Sequence, residues 1–391
     1  MSQNPQKRSL RVVVMLANVK QYRKEFYPML RAVLASHDVE LTVIYSTPSA
    51  VEAAKGDNID LQPPLGRRVP RLFFLHDRLL LQIPRPRDIL TADLIIIVQA
   101  TGYLLNYPLL LLSALHLKRI AFWGHGWNHQ GNPRSFAERV KRRLANASDW
   151  WFAHTHETKR YLESIGVAPA KITAVENAID TRGFRDSLRS VSAEELASTR
   201  AALRIPSGAP TCLYCGSLYR EKRIDYLLSA AARIADEVPG FRLIIVGAGP
   251  DTDLVRRASE SCEYIIHVGP VFGRARAVYF RMADLVLNPG LVGLGILDSF
   301  AAGLPIITTA DAKHSPEIAY LIDGENGLRI EGDSGAFATA VSRTLRDPEL
   351  LRKMKRGAQA AADHYTIENM VENVKRGVLR CLEVRAPESD L

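Results

Sequence analysis

Cysteine is scarce in this chain: four residues, Cys212, Cys215, Cys262 and Cys381, among 391. Their spacing forms no disulfide framework, which points to a reducing compartment. Cys212 and Cys215 do make a Cys-x-x-Cys, but "CLYC" lies inside an apolar run with no second pair, so buried thiols are expected rather than a metal or redox site. Long hydrophobic runs are also missing. The most apolar stretch, "LLNYPLLLLSALHL" (104–117), is short of the roughly 20 residues a bilayer span needs and contains Asn106 and Pro108, so it predicts a buried helix. The start, "MSQNPQKRSLRVVVMLANVK", turns polar too soon for a secretory leader. No Gly-x-Gly-x-x-Gly follows the first strand, which argues against a dinucleotide enzyme built there. Acidic residues are in deficit, 42 against 51 Lys and Arg, for a net charge of +9. That balance suits an anionic partner such as a nucleotide or a lipid phosphate, and equally a merely solubilising surface. No nucleic-acid recognition motif accompanies the charge.

What is present is alternation. In the first half "LRVVVML", "VELTVIYST", "RLFFL", "ADLIIIVQA", "KRIAFWG" and "DWWFAH" read as strands separated by helical or loop segments. The second half repeats the rhythm with "PTCLYCGSL", "FRLIIVGAGP", "YIIHVGP", "DLVLNPG" and "LPIITT". Continuous apolar strands alternating with helices indicate parallel sheets covered on both faces. At this length two domains are the default. The expected class is therefore α/β, with two Rossmann-like doubly wound domains, residues 1–184 and 185–366. The segment "SVSAEELASTRAALRIPSGAP" is expected to be the crossing between them.

In an open parallel sheet, ligands sit beyond the carboxyl ends of the strands. Four second-half loops fall there: 215–223, 246–250, 267–276 and "NPGLVGLGILDSF" at 288–300. Glycine lets backbone amides approach a phosphate, and a helix start adds partial positive charge. The amides of Leu294, Gly295 and Ile296 are expected to face a diphosphate. Asp298, in the first turn of the next helix, either complements the helix dipole, worth about 0.3–1 kcal/mol, or accepts from a vicinal diol such as ribose. Lys222 in "REKR" is either a solvated surface lysine or an ammonium reaching a diphosphate.

Taken in order and spacing, "CGSLYREKRIDYLLSA", "LIIVGAGP", "MADLVLNPG", "LVGLGILDSFAAGLPII" and "SPEIAYLIDGENGL" resemble the C-terminal domain of family 4 retaining glycosyltransferases. "FWGHGWNHQ", "RRLANASDWWFAHT" and "VENAIDTRGF" match the first half more loosely, and the resemblance covers residues 10–380. It implies a GT-B fold, two facing Rossmann-like domains with a cleft between them, and a C-terminal helix at 367–391 returning to the first domain. It also implies a retaining transfer of sugar from a nucleotide diphosphate sugar, UDP or GDP, without metal or other cofactor. The family's phosphate-binding lysine falls on Lys222, its ribose-binding glutamate on Asp298, and its donor-sugar histidine on His125. Gly216, Ser217, Gly247, Gly269, Val271, Gly293, Leu294, Gly295 and Ile296 complete the implied donor site. Two positions depart: the first glutamate of the family's pair is Gly290, and an arginine of the first loop is Ser217.

The first half is then expected to recognise the acceptor through Tyr22, Arg23, Asn128 and His129. Five basic residues at 134–143 (Arg134, Arg139, Lys141, Arg142, Arg143) against Glu138 alone are either a solvated helix face or a contact for anionic lipid headgroups. A polyprenyl-diphosphate-linked acceptor would explain that patch together with the apolar run at 104–117. The expected location is cytoplasmic, peripheral at the inner face of the cell membrane. The rivals are an epimerase or hydrolase on the same fold, an NAD(P) enzyme using the 246–250 turn, a nucleic-acid binder and a non-catalytic nucleotide-binding protein.

Overall fold

A computed structural model describes residues 8–54, 56–75, 79–127 and 136–383. Contacts divide the chain into two compact units: residues up to Asp180 together with those from Ile367 onward, and Thr181–Thr366. The expected boundary was 184/185.

Unit 1 holds a seven-stranded parallel sheet. Its strands run in the order Ile172–Ala174, Trp150–Ala153, Arg119–Gly124, Leu94–Val98, Leu10–Met15, Val39–Tyr45 and Gly66–Arg68. Leu94–Ile97 and Trp150–Ala153 are buried at every residue, as a sheet covered on both faces requires. The helix Ile367–Glu383 packs on this unit, and a Cβ at Gly377 would lie 2.6 Å from both Phe152 and Thr173. "RLFFL" is no strand of the main sheet. Arg71–Phe74 pairs antiparallel with Leu79–Gln82 in a separate hairpin. The edge strand beside it, Gly66–Arg68, has only three residues, and Pro70 cannot donate to a ladder. The expected buried helix is only half buried: Asn106–Ala114 covers Leu109, Leu110 and Ser113 but leaves Tyr107 and Leu111 in solvent, with Leu115 and Leu117 beyond its end.

Unit 2 holds six parallel strands in the order Ile265–Gly269, Arg242–Val246, Thr211–Cys215, Leu285–Leu287, Ile306–Thr309 and Gly327–Ile330. Numbered along the chain this is 3-2-1-4-5-6, the doubly wound order. The expected crossing segment belongs to this unit. Ala193–Ala202 is a helix capped by the Ser192 hydroxyl, and Glu195 pairs with Arg274 at 2.7 Å. Its polar composition reflects a solvent-facing helix, not a linker.

Candidate functional site

Strand order in unit 2 reverses between Thr211–Cys215 and Leu285–Leu287, so the loops leaving these two strands flank a topological switch point. They are fastened to each other. The Leu291 amide donates to the Glu221 carbonyl at 2.8 Å, and Lys222 Nζ donates to the Leu291 carbonyl. Only glycine fits at 290, because a Cβ there would sit 2.3 Å from Glu221 O and 2.5 Å from the Lys222 Cα. The missing glutamate is thus exchanged for close backbone contact that seats Lys222. Burial pulls the Lys222 ammonium down to about 8. Leu291 takes one of its three donors, which leaves two.

The far side of the 288–295 loop is held by His314, which the sequence reading overlooked. Its Nδ1 accepts from the Val292 amide at 3.1 Å, so Nε2 carries the proton and donates to Thr309 O at 2.7 Å. Burial holds this imidazole below its ordinary pKa, hence neutral. The Ser315 amide adds a bond to Val292 O at 2.9 Å. Among the described residues the amides of Leu294 and Gly295 donate to nothing, and a Cβ on Gly295 would meet open space. Three other amides of the expected donor set are already engaged. Gly216 donates to Val246 O, Gly247 to Gly269 O and Ile296 to Gly293 O. The 246–250 turn is glycine-rich for packing: a Cβ on Gly247 would lie 1.9 Å from Gly216 O.

Asp298, 15% exposed at its side chain, is held in an ion pair. Its two oxygens accept from the Arg276 guanidinium at 2.8 and 3.1 Å, and that guanidinium stacks 4.3 Å from the Phe184 ring. Burial raises the Asp298 carboxyl above its ordinary value, with Arg276 opposing. Cys215, beside the pair, is pushed up to about 11 by burial, and Cys212 is buried and free, so neither thiol is poised to react. The Asp-Thr-Asp at 251–253 heads the helix Thr252–Ser261, where Asp253 pairs with Arg256 at 2.9 Å. Among the described residues no group of three or more His, Cys, Asp or Glu is placed to hold a metal.

Unit 1 has its own switch point, between Leu10–Met15 and Leu94–Val98. Arg23 does not face solvent there. It is 8% exposed, donates to Asn177 Oδ1 and to Ala178 O (3.3 Å), and lies against the Phe26 and Trp123 rings. Expected as an acceptor contact, it ties the first loop to the 176–178 segment. Tyr22 beside it is exposed. His125 is exposed just past the strand Arg119–Gly124, with its ring 4.0 Å from that of His154. Asn128, His129 and Arg134 lie outside the described residues.

Residues 29–182 match the family described as Glycosyltransferase Family 4, and residues 209–347 the one described as Glycosyl transferases group 1, together well over half the chain. The chain belongs to the family 4, group 1 glycosyltransferases. A D-inositol 3-phosphate glycosyltransferase of Acidothermus cellulolyticus is 28% identical over 56% of this chain and 50% of its own length. An alpha-monoglucosyldiacylglycerol synthase of Acholeplasma laidlawii is 25% identical over 51% of this chain and 50% of its own. The chain spans about half the length of these curated relatives. Among solved structures, a Rickettsia africae glycosyltransferase covers 97% of this chain and 100% of its own (TM-score 0.66, 13% identity). The Anabaena HepE protein in complex with UDP covers 95% and 99% (TM-score 0.65, 14% identity). Both share the GT-B fold.

Within this family 4 chain, Gly216, Ser217 and Lys222 sit on one switch-point loop, and Gly293, Leu294, Gly295, Ile296 and Asp298 on the loop fastened to it and the helix it enters. Gly247 follows the strand Arg242–Val246, Gly269 ends the strand Ile265–Gly269, and Val271 lies half-buried on the loop after it. Arg276 had no local signal. Its partner is 22 residues away and no periodicity marks a single long-range ion pair.

Proposed function

We propose that this chain transfers one sugar, with retention at the anomeric carbon, from a nucleoside diphosphate sugar to a hydroxyl of a glycan or lipid-linked glycan, in surface polysaccharide or glycolipid assembly. The observation that carries the reading is Lys222, held on the Leu291 carbonyl beside the unengaged amides of Leu294 and Gly295 at the switch point of unit 2. Ammonium and amides suit a diphosphate. The hard step is departure of the nucleoside diphosphate, because charge builds on its leaving oxygen. Fixed donors would stabilise that charge as it forms, without covalent catalysis and without metal. His125 would contact the donor sugar beside the bond that breaks. Asp298 would reach the donor ribose only by sharing its carboxylate with Arg276.

UDP is the first donor nucleotide to test and GDP the second, since HepE was solved with UDP and with UDP-glucose. The acceptor is assigned to unit 1, with Tyr22 the described residue that supports it. One named relative is a D-inositol 3-phosphate glycosyltransferase and the other a synthase of the glycolipid alpha-monoglucosyldiacylglycerol, in keeping with a polyprenyl-diphosphate-linked or lipid acceptor met by peripheral contact with an anionic membrane.

Thermal-shift screening against UDP, GDP, ADP and dTDP, followed by product analysis with the matching sugar nucleotides, tests the reading. Stabilisation by one nucleotide and EDTA-insensitive transfer to an added acceptor are expected. Free sugar released without acceptor would favour a hydrolase instead, and a C2-inverted nucleotide sugar an epimerase.

A further inference from the structure

Exposed apolar side chains are distributed unevenly. Of the fourteen large ones among the described residues, twelve lie in unit 1, and unit 2 has only Phe272 and Ile322. Those of unit 1 include a connected group. In the hairpin, Leu80 and Gln82 face inward and are buried, while Leu72 and Phe74 on the outer face, and Leu75 at its tip, are exposed where a solvated hairpin would be polar. The hairpin is joined to the approach of the next helix, since the Leu80 amide donates to Gly102 O and the Leu104 amide to Leu80 O. On that helix, Tyr107 and Leu111 are one turn apart on the outward side, and Leu115 continues the row past its end. Lys118, reaching the carbonyls of Leu90 and Ala92, brings exposed Leu90 to the same end as Leu117.

The stretch of chain that carries this group is net basic. Between residues 71 and 149 the sequence holds eleven Lys and Arg against five Asp and Glu. Three of those acids are already engaged: Asp88 by Arg67, Asp93 by Arg8, and Asp149 by Ser113 and the Ile120 amide. Arg139, Arg142 and Arg143 are exposed on the helix Phe136–Leu144, where Phe136 is exposed as well. A small apolar hollow of about 20 Å³ joins this helix to the previous one through Tyr107, Leu110, Lys141 and Leu144.

We infer that the outer faces of the strand pair Arg71–Phe74 and Leu79–Gln82 and of the helix Asn106–Ala114, rimmed by Arg139, Arg142 and Arg143, form an interfacial docking surface that inserts apolar side chains between the headgroups of an anionic bilayer. Scattered leucines and phenylalanines flanked by arginine suit a lipid boundary. A second copy of this chain would set the same positive rim against itself. The inference deepens the peripheral-contact part of the reading above and does not rest on sugar transfer.

The test is sedimentation of the full chain with vesicles of phosphatidylcholine alone and of phosphatidylcholine mixed with phosphatidylglycerol. Binding to the mixed vesicles only, weakening as salt rises, is expected. Phe74→Ser with Leu111→Ser, and separately Arg139→Glu with Arg142→Glu, should each weaken it by more than about tenfold while thermal unfolding is unchanged, because all four side chains are exposed. No binding at low salt, or equal binding by either variant pair, overturns the inference. A dimer in light scattering that Phe74→Ser with Leu111→Ser dissolves, without vesicle binding, overturns it in favour of self-association. Nucleoside diphosphate binding by the same variants reports on the transfer reading separately.

Discussion

The loops that leave the first strand of each sheet are built in opposite ways. In unit 1 the loop's cation is consumed by packing: Arg23 lies against the Phe26 and Trp123 rings and is bonded to Asn177 and Ala178. In unit 2 the switch point is bordered by backbone. Gly290 lets one loop rest on Lys222, His314 holds that loop from behind, and the amides of Leu294 and Gly295 are left unengaged. The difference shows that one strand order can use its first loop in two ways. A bonded and stacked arginine contributes stability, whereas unengaged amides and one buried ammonium are what the proposed diphosphate would need.

The contrast breaks most sharply at Lys222. Lys222→Ala should lower turnover by about 10²–10³-fold, the usual cost of removing one preorganised donor from a developing oxyanion, with no loss of folded protein; steady-state kinetics beside circular dichroism checks it. Next comes Asp298. With side chains 15% and 26% exposed, the Asp298–Arg276 pair is buried enough that Asp298→Ala should cost about 3 kcal/mol, read by urea unfolding, because Arg276 loses its counter-charge. Replacing both by leucine should recover most of that stability. If nucleotide affinity recovers with it, Asp298 has only a structural role; if affinity stays low, the carboxylate also touches the ligand.

In unit 1, Arg23→Ala should cost about 1.5–3 kcal/mol through the orphaned partners of its hydrogen bonds, while leaving nucleotide affinity untouched. Equal affinity loss there would erase the distinction between the two loops. The smallest effect is with pH. Lys222 is charged below about 8, so diphosphate affinity should fall as pH rises through that value, by at most about tenfold per unit. Stability moves the other way: the unfolded lysine keeps its proton up to its ordinary 10.5, so the fold gains as pH climbs from about 8 toward that value. Affinity titrations and thermal unfolding from neutral to mildly alkaline pH separate the two.

The alternation of elements was legible in the sequence because parallel strands buried on both faces require unbroken apolar runs, and the positions of Leu10–Met15, Leu94–Val98 and Thr211–Cys215 follow from that. The hairpin at 71–82 was not, since a short apolar run looks the same on a main sheet and beside it. The helix at 106–114 misled for a related reason. Apolar composition does not by itself fix which face of a helix is buried, and Leu111 and Leu115 sit on the outside. At the site, Lys222 and the glycines were readable from loop position. The pairing of Asp298 with Arg276 and the bracing by His314 were not, because both join segments about twenty residues apart through single contacts with no repeating pattern.

Calorimetric titration of UDP and GDP into the wild-type chain and into Lys222→Ala tests the central claim most directly. Saturable binding of at least one nucleotide, weakened about 10–100-fold in the variant by loss of a charged hydrogen bond, is the predicted result. Binding that is identical in the two proteins, or absent from both, would contradict it.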